Sequence, residues 1–303
     1  MKAAAFFEFG GPEVLRLTEL EAPEAGAGEV RVRVKAAGVQ PVDCSVRSGW
    51  MPAGVQVSFP QVAGNEFAGV IDRIGEGVTG LSVGEEVVGF RVLGCYAEYV
   101  VVPADQVVPK PAGMPWEQAG GLSGAGQTAH TALEELRVGK GDIVLINGAA
   151  GGVGTVAVQV ARERGATVIG TASEANHDYL RSLGAIPVAY GDGLLDRVRA
   201  LAPNGLDAAL DAASVDGLRV ALELVKDKDR VGTIFAFEHY KQLGVRWIGS
   251  KRSAARLREL LDLYAQGKLR IFVRSVHPLE KAADAHREVE SGHGRGKVVL
   301  LVD

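Results

Sequence analysis

"NGAAGGVG", Asn147–Gly154, follows the apolar run "DIVLI" and precedes "TVAVQVARERG". Gly148, Gly151 and Gly154 recur at every third position, between a segment patterned as a buried strand and one patterned as a helix. Glycine at such a junction permits a sharp turn and close approach of backbone to a ligand. The helix that begins there offers unpaired N–H groups to an anion. A glycine triplet alone is weak evidence, because loops collect glycine for conformational reasons. Its neighbours decide the reading.

Those neighbours alternate. The strand-like runs "DIVLIN", "ATVIGTA", "IPVAY", "LDAALDA" and "RVGTIFAF" are interleaved with the helical stretches "VAVQVARER", "ANHDYLRSLG", "LLDRVRALA" and "VDGLRVALELVK". This rhythm specifies a parallel sheet with helices on both faces, and puts the glycine turn after the first strand, where a dinucleotide fold needs it. Upstream of Trp116 the pattern is β. Val30, Val32 and Val34 alternate with Arg31, Arg33 and Lys35, and "FAGVIDRIG", "EEVVGF" and "AEYVVVP" are further strands between Gly and Pro turns. After Gly249 come two amphipathic helices, "SAARLRELLDLYAQGK" and "LEKAADAHREVESG", and a closing strand, "KVVLLVD". The expected fold class is α/β. A β-rich domain is drawn from residues 1–115 and 251–303, and a doubly wound parallel-sheet domain from residues 116–250.

Composition sets the bounds. The chain has 303 residues, a 47% apolar and 23% charged composition and a net charge of −4. These are the values of a soluble globule, and they give no electrostatic case for nucleic acid or an anionic membrane. No apolar run reaches bilayer length, and "MKAAAFFEFGG" carries no signal-peptide cleavage pattern. Two cysteines far apart, Cys44 and Cys95, are expected to be reduced thiols in a cytoplasmic protein.

The choice of dinucleotide rests on the end of the second strand, "VIGTASEAN". An acidic side chain there would hold ribose hydroxyls and repel a 2′-phosphate. The tip carries Thr171, Ala172 and Ser173 instead, which favours NADPH, although Glu174 is close and the first cation is Arg181.

Several stretches together resemble the medium-chain dehydrogenase/reductase superfamily, most closely its zinc-independent quinone oxidoreductase (zeta-crystallin-like) branch. They are "AAGVQPVDCSVRSG", "VAGNEFAGVIDRIGEGV", "YAEYVVVPADQVVPKP", "NGAAGGVG", "LRSLGA" and "GHGRGKVVL", and they span nearly the whole chain. The resemblance implies a GroES-like β domain, a Rossmann domain, NADPH in the cleft between them and a homodimer joined through the Rossmann sheets. It also implies roles by position. Gly151, Gly152 and Val153 lie at the pyrophosphate, and Ser173, Asn176 and Tyr190 at the adenosine phosphate. Thr128 and Phe237 lie near the nicotinamide, and Lys297 is the C-terminal basic residue near the cofactor. Zinc-dependent relatives carry Cys and His where this chain has Gln40 and Asn65, and the run "LSGAGQTA" near the third ligand position holds no ligand. An amide is a poor zinc ligand beside thiolate or imidazole, so no metal is expected. Asp43, Glu66 and His130 are read as structural.

Without a Lewis acid, the chemistry that remains feasible is hydride transfer to an acceptor that is already electron-poor, a quinone or an α,β-unsaturated carbonyl. Relatives often carry Asn at Gln40 and Tyr at Ser45, so no catalytic acid is assigned. Gln40 and Ser45 are substrate-cleft candidates or polar residues of a turn. His239 and Tyr240 either touch substrate or lie in a solvated loop. Two other readings stand beside quinone reduction: a biosynthetic enoyl or double-bond reductase, and a non-catalytic NADPH-binding sensor or scaffold. Cys44 and Cys95 are read as inert, "DKDR" at 227–230 as a charged turn, and His277, His286 and His293 as lacking ligand spacing.

Overall fold

A computed structural model describes residues 1–303 except 52, 53, 57 and 293, so His293 lies outside the described residues. The run after Asp142 is apolar on both sides of its pleat, and Val144, Leu145 and Ile146 are completely buried in the strand Ile143–Asn147. A strand of that kind belongs in the middle of a sheet covered on both faces. It is flanked by Thr167–Ala172 and Ala208–Asp211. Ile186–Ala189, Val231–Thr233 and Arg246–Trp247 complete a six-stranded, all-parallel sheet. Numbered along the chain, the spatial order is 3-2-1-4-5-6, that of a doubly wound dinucleotide fold, with the glycine turn at the switch point.

The β-rich part is closed by both ends of the chain. Glu29–Val39 pairs antiparallel with Glu66–Ile74, with Tyr99–Pro103 and with the terminal strand Lys297–Leu301, placing Val298 opposite Val39. Val273–Pro278 runs parallel to that terminal strand. Within Glu29–Val39 the valines are buried as the alternation predicts, but Arg31 is buried too. Its guanidinium forks onto Asp72 at 3.0 and 2.9 Å and lies over the Tyr99 ring, so the charge is paired rather than solvated.

Two local readings change and one stands. Gln40 and Ser45 do not lie in a turn. Gln40 caps the short helix Pro41–Arg47 that follows the long strand, and Ser45 sits exposed on that helix with its hydroxyl on Pro41 O at 3.2 Å. The apolar run "RVGTIFAF" leaves the sheet early, at Thr233. The Thr233 hydroxyl accepts the backbone N–H groups of Phe235 and Ala236 at 3.0 and 2.9 Å, which bends the chain away from the ladder. The "DKDR" run is a pinned 3-10 turn: Arg137 pairs with Asp227 and Arg230 with Asp142.

Candidate active site

At the carboxyl ends of the strands a row of buried polar side chains builds the floor of the glycine turn. Asn147 donates to Asp211 at 2.7 Å and accepts from the Thr171 hydroxyl at 2.6 Å, while Thr171 Oγ1 accepts from Gly148 N at 3.0 Å. Asp211 also accepts from Thr233 Oγ1 at 2.7 Å and from the backbone N–H groups of Ala213 and Ser214. Four successive strands of the sheet are thereby locked side to side, through Thr171, Asn147, Asp211 and Thr233. Thr171 is consequently turned inward and is not part of an outward-facing ribose site. Sequence reasoning missed Asn147 and Asp211. The available signal was a polar residue closing an apolar strand in "VLIN" and "AALD".

Above that floor Gly148 has φ +78°, and a Cβ on Gly154 would lie 2.2 Å from Gly148 O, so the turn needs glycine at both places. The helix Gly152–Glu163 starts at Gly151 with no side-chain cap, leaving its first amides directed out of the helix. Gly151, Gly152 and Val153 remain partly accessible there. This cradle fits a pyrophosphate. Gly151 also bridges to Gly296, and Gly296 N donates to Ala150 O at 2.9 Å, so the C-terminal segment lies against the turn. Ser173, after the second strand, accepts from Asn176 Nδ2 at 3.0 Å, and the two remain partly accessible. Tyr190 stands exposed just past the third strand, where Arg197 binds Ala189 O at 2.8 Å. Thr128 is half-buried and bonds its own helix at Gly124 O.

Lys297 behaves differently from its expected role. Its stem passes the turn, since a Cβ on Gly152 would lie 2.9 Å from Lys297 Cδ, but its ammonium is aimed at Glu66 Oε1 at 3.0 Å and Val39 O at 3.1 Å. Glu66, wholly buried, also accepts from the Gln40 side-chain amide and from Gly124 N at 2.6 Å. Gln40 is thus committed to Glu66. The neighbouring Asn65 side chain donates to Asp43, which also accepts from the Tyr96 hydroxyl and from Gln40 N, each at 2.8 Å. Burial nonetheless pushes the Asp43 carboxyl up to about 6. With both amides donating to carboxylates and an ammonium paired with Glu66, these side chains do not fit a zinc donor set. Among the described residues no group of three or more His, Cys, Asp or Glu is placed to hold a metal ion.

The remaining candidates separate. Phe237 is half-exposed beyond the fifth strand, against Tyr240 and Trp247 and edge-on to Trp50 from the other half of the chain, while His239 is exposed beside it. Cys44 and Cys95 are free, buried thiols whose ionisation burial disfavours. His130 is held away from the turn by Glu259 and Arg256, and His277 by Glu288.

Residues 26–112 match the family model of the alcohol dehydrogenase GroES-like domain, and residues 183–300 that of the zinc-binding dehydrogenases. The chain is 30% identical to the quinone oxidoreductase of Mus musculus, over 100% of this chain and 98% of that one. The chain belongs to the quinone oxidoreductase family of medium-chain dehydrogenases/reductases. The solved quinone oxidoreductase of Coxiella burnetii superposes on it with a TM-score of 0.87 at 31% identity, covering 100% of this chain and 99% of the other. That of Escherichia coli, solved as a complex with NADPH, does so with a TM-score of 0.87 at 25% identity, covering 99% and 100%. This oxidoreductase therefore carries the two-part architecture of its family, with the glycine turn and the Phe237 aromatic group both beyond the carboxyl ends of the parallel strands.

Proposed function

We propose that this enzyme transfers a hydride from NADPH to quinones or to alkenes conjugated with a carbonyl, without zinc. The observation that carries this reading is the uncapped, glycine-lined helix start beside a cluster in which the candidate metal ligands are engaged with one another and with Lys297. When bound, NADPH supplies two electrons as hydride; the acceptor takes that hydride and a proton from water, leaving hydroquinone or the saturated carbonyl and NADP⁺. The chain's own work is binding and orientation. The amides at Gly152 and Val153, with the backbone of Gly151 beside them, hold the pyrophosphate, and Ser173 and Asn176, with Tyr190 beside them, hold the adenosine phosphate. Phe237 and Thr128 bound the nicotinamide end, and the stem of Lys297 backs the turn. The Ser45 hydroxyl is donated to Pro41 O and Gln40 is tied to Glu66, so water is taken as the proton source.

The same reading takes residues 1–115 with 251–303 as one domain and 116–250 as the other. It makes the protein cytoplasmic, in keeping with the absence among the described residues of any helix long and apolar enough to cross a membrane. A homodimer would add a partner at the sheet edge strand Arg246–Trp247, which ends the order of the six strands. Oxidation of NADPH followed by its absorbance, with a panel of quinones and a panel of enones, tests the activity. Turnover with either panel is expected, and tight NADPH binding with no oxidation by any acceptor would leave a sensor or scaffold instead.

A further inference from the structure

Arg252 reaches from the segment after the strand Arg246–Trp247 onto the backbone of the β-rich part. Its Nη1 donates to Asn65 O at 2.9 Å and to Arg91 O at 3.1 Å, and its guanidinium lies over the Phe90 ring, 5.6 Å from the centroid. Nε and Nη2 have no hydrogen-bond partner among the described residues, and neither atom is sealed from solvent. Those two atoms form the edge of the guanidinium that makes two parallel bonds to a carboxylate. The chain fills that edge elsewhere. Arg31 donates from Nε and Nη2 to the two oxygens of Asp72 at 3.0 and 2.9 Å, with Nη1 on Pro23 O and the Tyr99 ring at its face. Arg252 repeats the arrangement of Arg31, carbonyls on Nη1 and a ring at the face, with no side-chain carboxylate on the free edge.

Nor is its charge cancelled nearby. The carboxylates that favour the charged form of Arg252 are Glu66 and Asp43. Both are engaged, Glu66 with Lys297, Gln40 and Gly124 N, and Asp43 with Asn65, Tyr96 and Gln40 N. Exposed Arg91, whose Nη1 donates to Val101 O at 3.0 Å, pairs with no carboxylate among the described residues. Lys297, Arg91 and Arg252 therefore set three cations against two carboxylates. The place is also the right one. Ser253 N donates to Gln127 Oε1 at 2.8 Å, one residue before Thr128, and Asn65 adjoins the Glu66 that holds Gly124 N. Arg252 is thereby fixed beside the helix Ser123–Glu135, whose Thr128 bounds the nicotinamide end in the reading above.

We propose that the Nε–Nη2 edge of Arg252 receives a carboxylate carried by the acceptor, so that the preferred substrates are alkenes conjugated with a carbonyl that also bear an ionised acid. Arg91 adds long-range attraction for the same anion. The inference rests on the reductase reading and names its substrate class. In the reaction, hydride from NADPH adds to one alkene carbon and a proton from water to the other. The π bond between them is lost, leaving the saturated keto acid and NADP⁺.

The test compares trans-3-benzoylacrylate with its uncharged ethyl ester in the wild-type enzyme, Arg252→Gln, Arg252→Lys and Arg91→Gln, with thermal melts as the check on folding. Taking each variant as a ratio of kcat/KM between acid and ester cancels their different intrinsic reactivity. Arg252→Gln should lower that ratio by about tenfold or more, and Arg252→Lys, which keeps the charge but not the fork, by less. Arg91→Gln, a surface change, should lower it by about threefold. Calorimetry of the product 3-benzoylpropionate on the NADP⁺-loaded protein should show a matching loss of affinity in Arg252→Gln. In the wild type that affinity should fall as KCl is raised from about 0.05 to 0.5 M. An unchanged ratio and affinity in Arg252→Gln would overturn the proposal and leave the reductase reading intact. Should that variant not fold, salt-independent binding of 3-benzoylpropionate to the wild type would overturn it equally. Arg252-dependent binding of the keto acid without turnover of any enone or quinone would instead sustain the carboxylate site and overturn the reductase reading.

Discussion

Replacing Lys297 by Met probes the most heavily buried charge pair of the site. The Lys297 and Glu66 side chains are 5% and 0% exposed and 3.0 Å apart, so neither charge is offset by water. At an effective dielectric of 20 the direct attraction is about 5 kcal/mol, and most of it offsets the cost of taking both ions out of water. Methionine keeps the stem that packs beside Gly152 but removes the ammonium, stranding a buried carboxylate. Breaking such a pair ordinarily costs about 3–5 kcal/mol. Glu66 still accepts from Gln40 and from Gly124 N, so the lower figure, about 3 kcal/mol, is expected here. In a domain of this size that corresponds to a melting midpoint lowered by roughly 6–10 °C, read by near-UV circular dichroism without nucleotide. The decisive comparison is a cycle with Glu66→Gln and the double variant. The double variant should lose clearly less than the sum of the two single losses, because the neutral amide no longer needs a cation. A Lys297→Met protein melting with the wild type, or strictly additive losses, would refute the argument that this ion pair holds the strands Glu66–Ile74 and Lys297–Leu301 against the helix Ser123–Glu135.

Other perturbations separate turn, specificity and acid stability. Gly154→Val forces a Cβ within 2.2 Å of Gly148 O and should lower the melting point markedly. Gly152→Val brings a Cβ to 2.9 Å from the Lys297 stem and 3.5 Å from Gly296 O, without the backbone clash met at Gly154, and should reduce NADPH affinity by calorimetry at least about tenfold, since the added bulk crowds the pyrophosphate cradle. Asn176→Arg should raise the preference for NADPH over NADH by about tenfold, through a charge-assisted bond to the 2′-phosphate, and an unchanged preference in steady-state kinetics would place the phosphate elsewhere. His286 is wholly buried with both ring nitrogens unpartnered, and burial, aided by the nearby Arg47 charge, lowers its pKa to about 3. The unfolded chain binds that proton below about pH 6.5, so the stability associated with neutral His286 is complete above that pH and is lost as pH falls toward 3. His286→Phe should therefore gain about 2 kcal/mol relative to wild type between pH 7 and pH 5, measured as the difference in denaturant midpoints; parallel pH profiles would show that the histidine does not titrate this way.

The parallel sheet, the glycine turn and the return of the C-terminal strand were legible because each is written in local pattern. "DIVLIN" is apolar on both faces, "GAAGGVG" can turn where other residues clash, and "KVVLL" is an apolar run that lies buried between two neighbouring strands, Val273–Pro278 and Glu29–Val39. Residue type alone also argued against a metal, because Gln40 and Asn65 are amides wherever they point. Contacts between elements distant in sequence were not legible. The 231-residue gap between Glu66 and Lys297 hides their ion pair, and nothing in "QPVDCS" says that Gln40 caps a helix and turns to Glu66. Thr171 sits at the tip its strand pattern implies, yet its hydroxyl faces Asn147 and Gly148 rather than a ribose.

Sequence by itself determined that this chain builds a parallel sheet with a glycine turn after its first strand, because hydrophobic period and glycine placement act over a few residues. Tertiary structure alone decided where Lys297 directs its charge, that Phe237 leaves the sheet at Thr233, and that Trp50 meets it edge to face. Direction of a side chain depends on which partners the folded chain brings within a few ångströms, and that is a property of the packed whole rather than of any segment.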